Sequence, residues 1–259
     1  MKKGHTMSAQ ALRSTRLEGA MQPQTSPAHT AATSVAHDRP GARRAHADWL
    51  VPTGLILLSL VPAIAGGARL HDLVSGAEIT ERNARFVAAP LPVAIHVASA
   101  ILYSILGAFQ FSPGFRRRHR AWHRVAGRVL IPAGLLVAIS GLWMTLTYPW
   151  PAGDGVLVYL ERLVFGSAML VALALGVESI RRRRFVAHGE WMIRAYAIGL
   201  GAGTQVLTHL PWFLLAEGWP GELPRAVMMG SAWVINVVVA EWFIRRRAPR
   251  PQSAFARVA

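Results

Sequence analysis

Six apolar runs of roughly 20 residues dominate this chain of 259 residues, each longer than the core of a soluble domain needs. They fall at 49–68, 90–111, 125–147, 156–178, 191–215 and 223–244. Hydrocarbon cannot satisfy a backbone N–H or C=O, so a chain that enters it repeatedly does so as helices. The reading is an all-α, six-span transmembrane helix bundle. A hydrophobic content of 53% would suit a soluble two-domain protein equally well, so run length decides.

The net charge of +15 would point a soluble chain towards nucleic acid. Here the basic residues sit in short clusters between apolar runs, where they set topology and meet anionic lipid, so no nucleic-acid partner is expected. RRRHRAWHR (116–124) reads as a membrane anchor with Trp122 at the interface. The N-terminal tail, loops 112–128 and 179–190 and the C-terminus hold 22 Lys and Arg, against 4 in the three opposite loops. The positive-inside rule then places both termini in the cytosol of a bacterial plasma (inner) membrane, with anionic lipid at the cytosolic face.

Residues 1–48 lack apolar periodicity and read as a disordered cytosolic tail, and 246–259 as a basic cytosolic tail. No apolar h-region follows Lys2 and Lys3, so a signal peptide is not expected, and Met1, Met7 and Met21 are all candidate starts. Cysteine is absent, which removes thiolate metal sites, cysteine-held iron–sulfur clusters and covalent haem attachment. G-x-x-x-x-G-K-[ST], H-E-x-x-H and G-x-S-x-G are absent too, so nothing marks a nucleotide-driven pump, a zinc protease or a serine hydrolase.

Two spans carry polar stripes. At about 100° per residue, Arg194, Gly201, Gln205, Thr208 and His209 fall on one face of span five. His96, Ser99, Tyr103, Gly107 and Gln110 lie within roughly 60° of one another on span two. Such faces need other helices or a water-filled cavity. On span three Gly127, Gly134 and Gly141, with Thr145 beside them, allow close approach of a neighbouring backbone. Spans two to five are therefore expected to form a polar-lined core, with spans one and six outside.

Counted from the span ends, His96, His209 and Glu161 all lie about 7–9 Å below the outer interface. Two facing imidazoles are an axial-ligand set for a haem b, with His96 and His209 as cofactor-binding residues. With Glu161 they are a two-His, one-carboxylate metal set or a proton relay. The plainer alternative is interhelical hydrogen bonding by the histidines, with Glu161 reaching outward beside Arg162. Near the cytosolic side Arg194 and Glu241 sit at equal depth on consecutive antiparallel spans, where they either pair or act separately. A second haem between His123 and His188 is disfavoured, because His188 lies 21 residues before His209, about 30 Å along a helix.

His96, Phe109-Gln110-Phe111, His123-Arg124, Gly127-Arg128, Ser140-Gly141 and His188-x-x-Trp191-Met192-Ile193-Arg194-Ala195-Tyr196 together resemble the DUF2306 family. Asn236 and Glu241-Trp242 fit the same pattern, and the likeness covers roughly residues 90–245. It implies a bacterial multi-pass membrane protein and brings topology rather than chemistry. The family often carries an Arg near Thr204–Leu207, where this chain has Gln205 and Val206. In span count and His placement alone, the chain is also similar to the cytochrome b561 type.

Three functions remain open. One is a haem b electron carrier working with a redox partner or quinone. Another is a small-solute or proton transporter using the stripes, with Gln110, Tyr103, Gln205, Thr208, Arg194 and Glu241 as its polar core. The last is a structural or partner-binding subunit. No catalytic residue is assigned, and the oligomeric state is left open. Against transport stands the lack of internal repeat symmetry or paired broken helices.

Overall fold

The computed structural model describes residues 40–247, with side chains from Trp49 onward. The 1–39 part of the expected tail, with its candidate starts, and residues 248–259 lie outside the described residues. The described chain is helical with no strand: α1 (Pro40–Ser75), α2 (Ala84–Ala88), α3 (Pro90–Gln110), α4 (Pro113–Arg118), α5 (Arg120–Thr147), α6 (Val156–Arg181), α7 (Phe185–Gly199), α8 (Gly201–Leu215) and α9 (Glu222–Arg247).

Prolines open several of these elements, as expected where the first N–H of a helix has no acceptor. Pro90 starts α3, and Pro113 starts α4 behind Ser112, whose hydroxyl accepts from the Phe115 N–H at 3.3 Å. Helix α1 begins at Pro40 and runs through Pro52 and Pro62, so it starts ahead of the expected boundary at Trp49. Among the described residues, five helices are long and apolar enough to cross a membrane: α1 from Trp49 to Ser75, α3, α5, α6 and α9. Large apolar side chains such as Leu57, Ile64, Ile139, Val164 and Val238 stand more than half exposed on them, a surface suited to lipid tails.

The expected fifth span, 191–215, is not one helix, and the count of six continuous spans is corrected to five. Its segment is split into α7 and α8, each of 15 residues, which meet at Leu200. A side chain of α9 bridges the break. The Asn236 carboxamide donates to the Ala197 carbonyl at 3.0 Å and accepts from the Thr204 hydroxyl at 2.7 Å. Ala197 O is the acceptor that an unbroken helix would offer to the Gly201 N–H. Just past the break the Gly203 N–H takes the Leu200 carbonyl three residues back, at 3.0 Å, beside the regular Thr204 bond to the same carbonyl. Both halves still run antiparallel to α9, through Arg194–Glu241, Ala197–Asn236 and a Thr208 hydroxyl bond to Met228 O at 2.7 Å.

The packing order also departs from expectation. Helices α1, α3, α5, α6, α9 and α8 each pack on the next, and α8 returns to α1, so the first and last spans belong to the bundle wall. Helix α7 lies inside this ring against α3, α5, α6 and α9. Past Leu200 the chain leaves the middle, and α8 packs between α1 and α9. The half of the bundle that holds the arginine clusters 116–118, 181–184 and 245–247 is thus filled by α7. Among the described residues, the other half has no central helix.

Candidate functional site

A cavity of about 380 Å³ occupies the unfilled half. Its wall takes residues from α3, α5, α6, α7, α8 and α9, and its mouth lies among Arg85, Phe86, Trp150 and Arg162, away from the arginine clusters. Its deepest residues, Ala100, Val137 and Met169, lie 10 to 13 residues into their helices from that end, or about 15–20 Å. The cavity therefore reaches about the middle of a 30 Å hydrocarbon layer. Ile198 and Gly199, just before the α7–α8 break, belong to its lining.

Beyond this depth, aromatic rings fill the space. Tyr103 and Tyr196 lie with centroids 5.6 Å apart, and Phe111 lies 4.6 Å from Tyr196. The Tyr196 hydroxyl donates to Ser104 O at 2.6 Å. Glycines make room for the rings: Gly107 faces Tyr196, while Gly134 and Gly199 face Tyr103. The small residues of α5 thus receive side chains of α3 rather than a neighbouring backbone. Gly141 likewise faces the His96 ring, whereas Gly127 faces open space.

Among the described residues, His96 is the one imidazole on the cavity wall. Its Nδ1 lies 3.0 Å from Val137 O and 3.1 Å from Ser140 Oγ. A carbonyl only accepts, and the Ser140 proton is directed to Leu136 O at 2.5 Å, so Nδ1 carries the hydrogen. In the neutral ring Nε2 then keeps its lone pair, with no protein partner among the described residues. Gln205, at the start of α8, adds an amide to the wall, and Thr145 and Tyr148 add hydroxyls.

The other candidates lie elsewhere. His209 Nδ1 meets Gln205 O of its own helix at 2.7 Å, and His209 is not on the cavity wall. The carboxylate of Glu161 lies over Gly230 of α9, with Oε2 buried and unbonded. No cluster of three His, Asp or Glu suited to a metal ion occurs among the described residues, so His96, His209 and Glu161 do not make the expected metal set. Equal depth fixes height but not direction: His96 points to α5, while α8 packs on α1 and α9. Of the expected haem pair, His96 lies on the cavity wall and His209 does not.

Away from the cavity, Arg194 holds Glu241 through two bonds, Nε to Oε1 at 2.5 Å and a terminal nitrogen to Oε2 at 3.1 Å. The guanidinium also lies 4.6 Å over the Trp191 ring. Gln110 accepts from His123, and His188 Nδ1 lies 2.8 Å from Gly176 O.

The charged mouth escaped the sequence reasoning. Asp154, with its side chain 2% exposed, is bound by Arg162 at 2.6 Å and by Arg225. Arg85 and Arg69 stack on Phe86, 4.6 and 4.5 Å from its centroid, with no carboxylate partner among the described residues. Burial lowers the Arg85 pKa most; Asp154 opposes this, and Arg162, Arg69 and Arg225 add to it. The one signal in the sequence was an acidic residue in a loop without Lys or Arg, but its partner Arg225 lies 71 residues on.

Comparison with curated proteins gives no match, and neither does comparison with solved structures. A family profile described as "Predicted membrane protein (DUF2306)" matches residues 93–244, from α3 into α9, and so reaches every long helix on the cavity wall but not α2, which supplies Arg85 and Phe86. The chain is a multi-pass membrane protein that belongs to the DUF2306 family.

Proposed function

We propose that the protein carries a small solute across the membrane, with the cavity as its binding site and the α7–α8 break as its moving part. One observation carries the reading: a cavity open at one end stops at a helix break and an aromatic layer near mid-bundle. Broken helices at mid-membrane are where transporters place substrate, because a break frees backbone groups and hinges the helix. The neutral His96 offers a proton acceptor within the cavity. A haem electron carrier is the weaker reading, since only His96 of the proposed pair faces the space.

The aromatic layer gives the test. In an Ala138→Cys protein, whose new thiol lines the cavity, a membrane-impermeant thiol reagent added at the arginine-cluster end should not react. Adding Tyr196→Ala removes the ring between Tyr103 and Phe111 and should admit reagent from that end. An unchanged barrier, with the protein still folded, would leave a pocket with no path and end the transport reading.

The arginine clusters are proposed to face the cytosol of a bacterial inner membrane and to meet anionic lipid there. The chain has no cysteine, so single thiols report without background. Thiols at Gly153 and Gly218 should label from outside, and those at Phe115 and Phe185 from the cytosol. Outward labelling at Phe185 would invert the orientation.

A further inference from the structure

We infer that the cavity's ligand is an amphipathic anion, its charged head held between Arg85 and Arg162 and its apolar body among Leu142, Phe165, Met169 and Trp233. This rests on the cavity being a binding site, as proposed above, and adds the chemistry of what enters it. Among the described residues, only two of the wall are charged, and both are arginines. Asp154 is occupied by Arg162 and Arg225, which leaves Arg85 and Arg69 at the mouth without a carboxylate partner among the described residues. A cation there would meet like charge and find no free carboxylate on the wall. An uncharged ligand would leave Arg85 partly desolvated without a partner.

Deeper in, the wall is aromatic, thioether and aliphatic, with His96 and Gln205 as isolated polar points. A small hydrophilic anion such as phosphate would leave those apolar surfaces facing water. An apolar tail or ring covers them, and a volume of about 380 Å³ suits a molecule of that kind. Guanidinium groups bind carboxylate and phosphate through paired N–H donors, so either head suits the mouth. The anion's source is the aqueous phase or the headgroup of an acidic lipid.

The test uses the full-length Ala138→Cys protein in nanodiscs of phosphatidylcholine, read by its reaction rate with a small uncharged thiol reagent. Decanoate should slow labelling in a saturable way, whereas decanol, decyltrimethylammonium and inorganic phosphate should protect far less. Arg85→Gln should raise the decanoate needed for half protection about tenfold or more, while Arg85→Lys retains part of it. An unchanged rate without ligand would show that Arg85→Gln leaves the cavity intact. If nanodiscs with phosphatidylglycerol are already protected and Arg85→Gln removes that protection, the anion is a lipid headgroup. Equal protection by decanol or the ammonium ion, or by phosphate alone, overturns the inference. So does decanoate protection that neither Arg85→Gln nor Arg162→Gln alters. A thiol that never reacts without ligand would instead remove the cavity reading beneath it.

Discussion

Gly203→Ala is expected to destabilise the protein by about 3 kcal/mol or more, the top of the range for overpacking, because the obstacle is backbone. A methyl group there would lie closer than 3.0 Å to the Leu58 carbonyl of α1, with the Leu58 side chain beside it. A flexible side chain could turn away, but a carbonyl inside α1 moves only with its helix. Helix α8 has left the middle of the bundle and is held between α1 and α9, so pushing it off α1 removes one of its two supports. Thermal unfolding in detergent measures the effect. Gly67→Ala on α1 faces open space and serves as the control; it should be neutral or gain up to about 1 kcal/mol from helix propensity. Equal behaviour of the two variants would show that α8 does not approach α1 as described.

Removing either Arg194 or Glu241 is the second large change. Breaking a fully buried pair costs about 3–5 kcal/mol, because the remaining charge is stranded. These side chains are 24% and 31% exposed, so about 2 kcal/mol for each single variant is the expectation. Arg194→Ala also loses the cation–π contact with Trp191, which makes it the costlier of the two. The double variant Arg194→Ala, Glu241→Ala should lose less than the sum of the singles by about 1 kcal/mol or more. Strict additivity in melting experiments would mean that the charges do not interact.

These two sites mark what the sequence makes legible. The positions of α3, α5, α6 and α9 follow from apolar run length, a property of the chain taken one segment at a time. Arg194 and Glu241 were readable as candidates for a pair, two opposite charges at one depth on consecutive antiparallel helices, with separate roles equally open; the structure pairs them. The break at Leu200 was not readable. Gly199-Leu200-Gly201 lies within a long apolar run, and the group that claims the Ala197 carbonyl is Asn236, 39 residues later. Direction around the bundle was lost for the same reason. His96 and His209 share a depth, but α8 departs towards α1 after the break, and His209 departs with it. The mouth needed Asp154, Arg162, Arg225 and the stack on Phe86 to be assembled in space.

Everything functional here depends on one half of the bundle having a solvent-accessible centre. Ala138 and Ile139 are neighbours on α5: the first is 3% exposed and lines the cavity, the second 53% exposed and faces outward among the apolar side chains of the bundle surface. Single thiols at each position, in protein embedded in membrane, compare the two directions one residue apart. With a membrane-impermeant reagent applied at the end that carries Arg85 and Trp150, the Ala138→Cys thiol should react and the Ile139→Cys thiol should not. The rate at Ala138→Cys should be greater for an anionic reagent than for a cationic one of the same size. An Ala138→Cys thiol no more reactive than its lipid-facing neighbour would mean that the centre is closed, and would contradict the account.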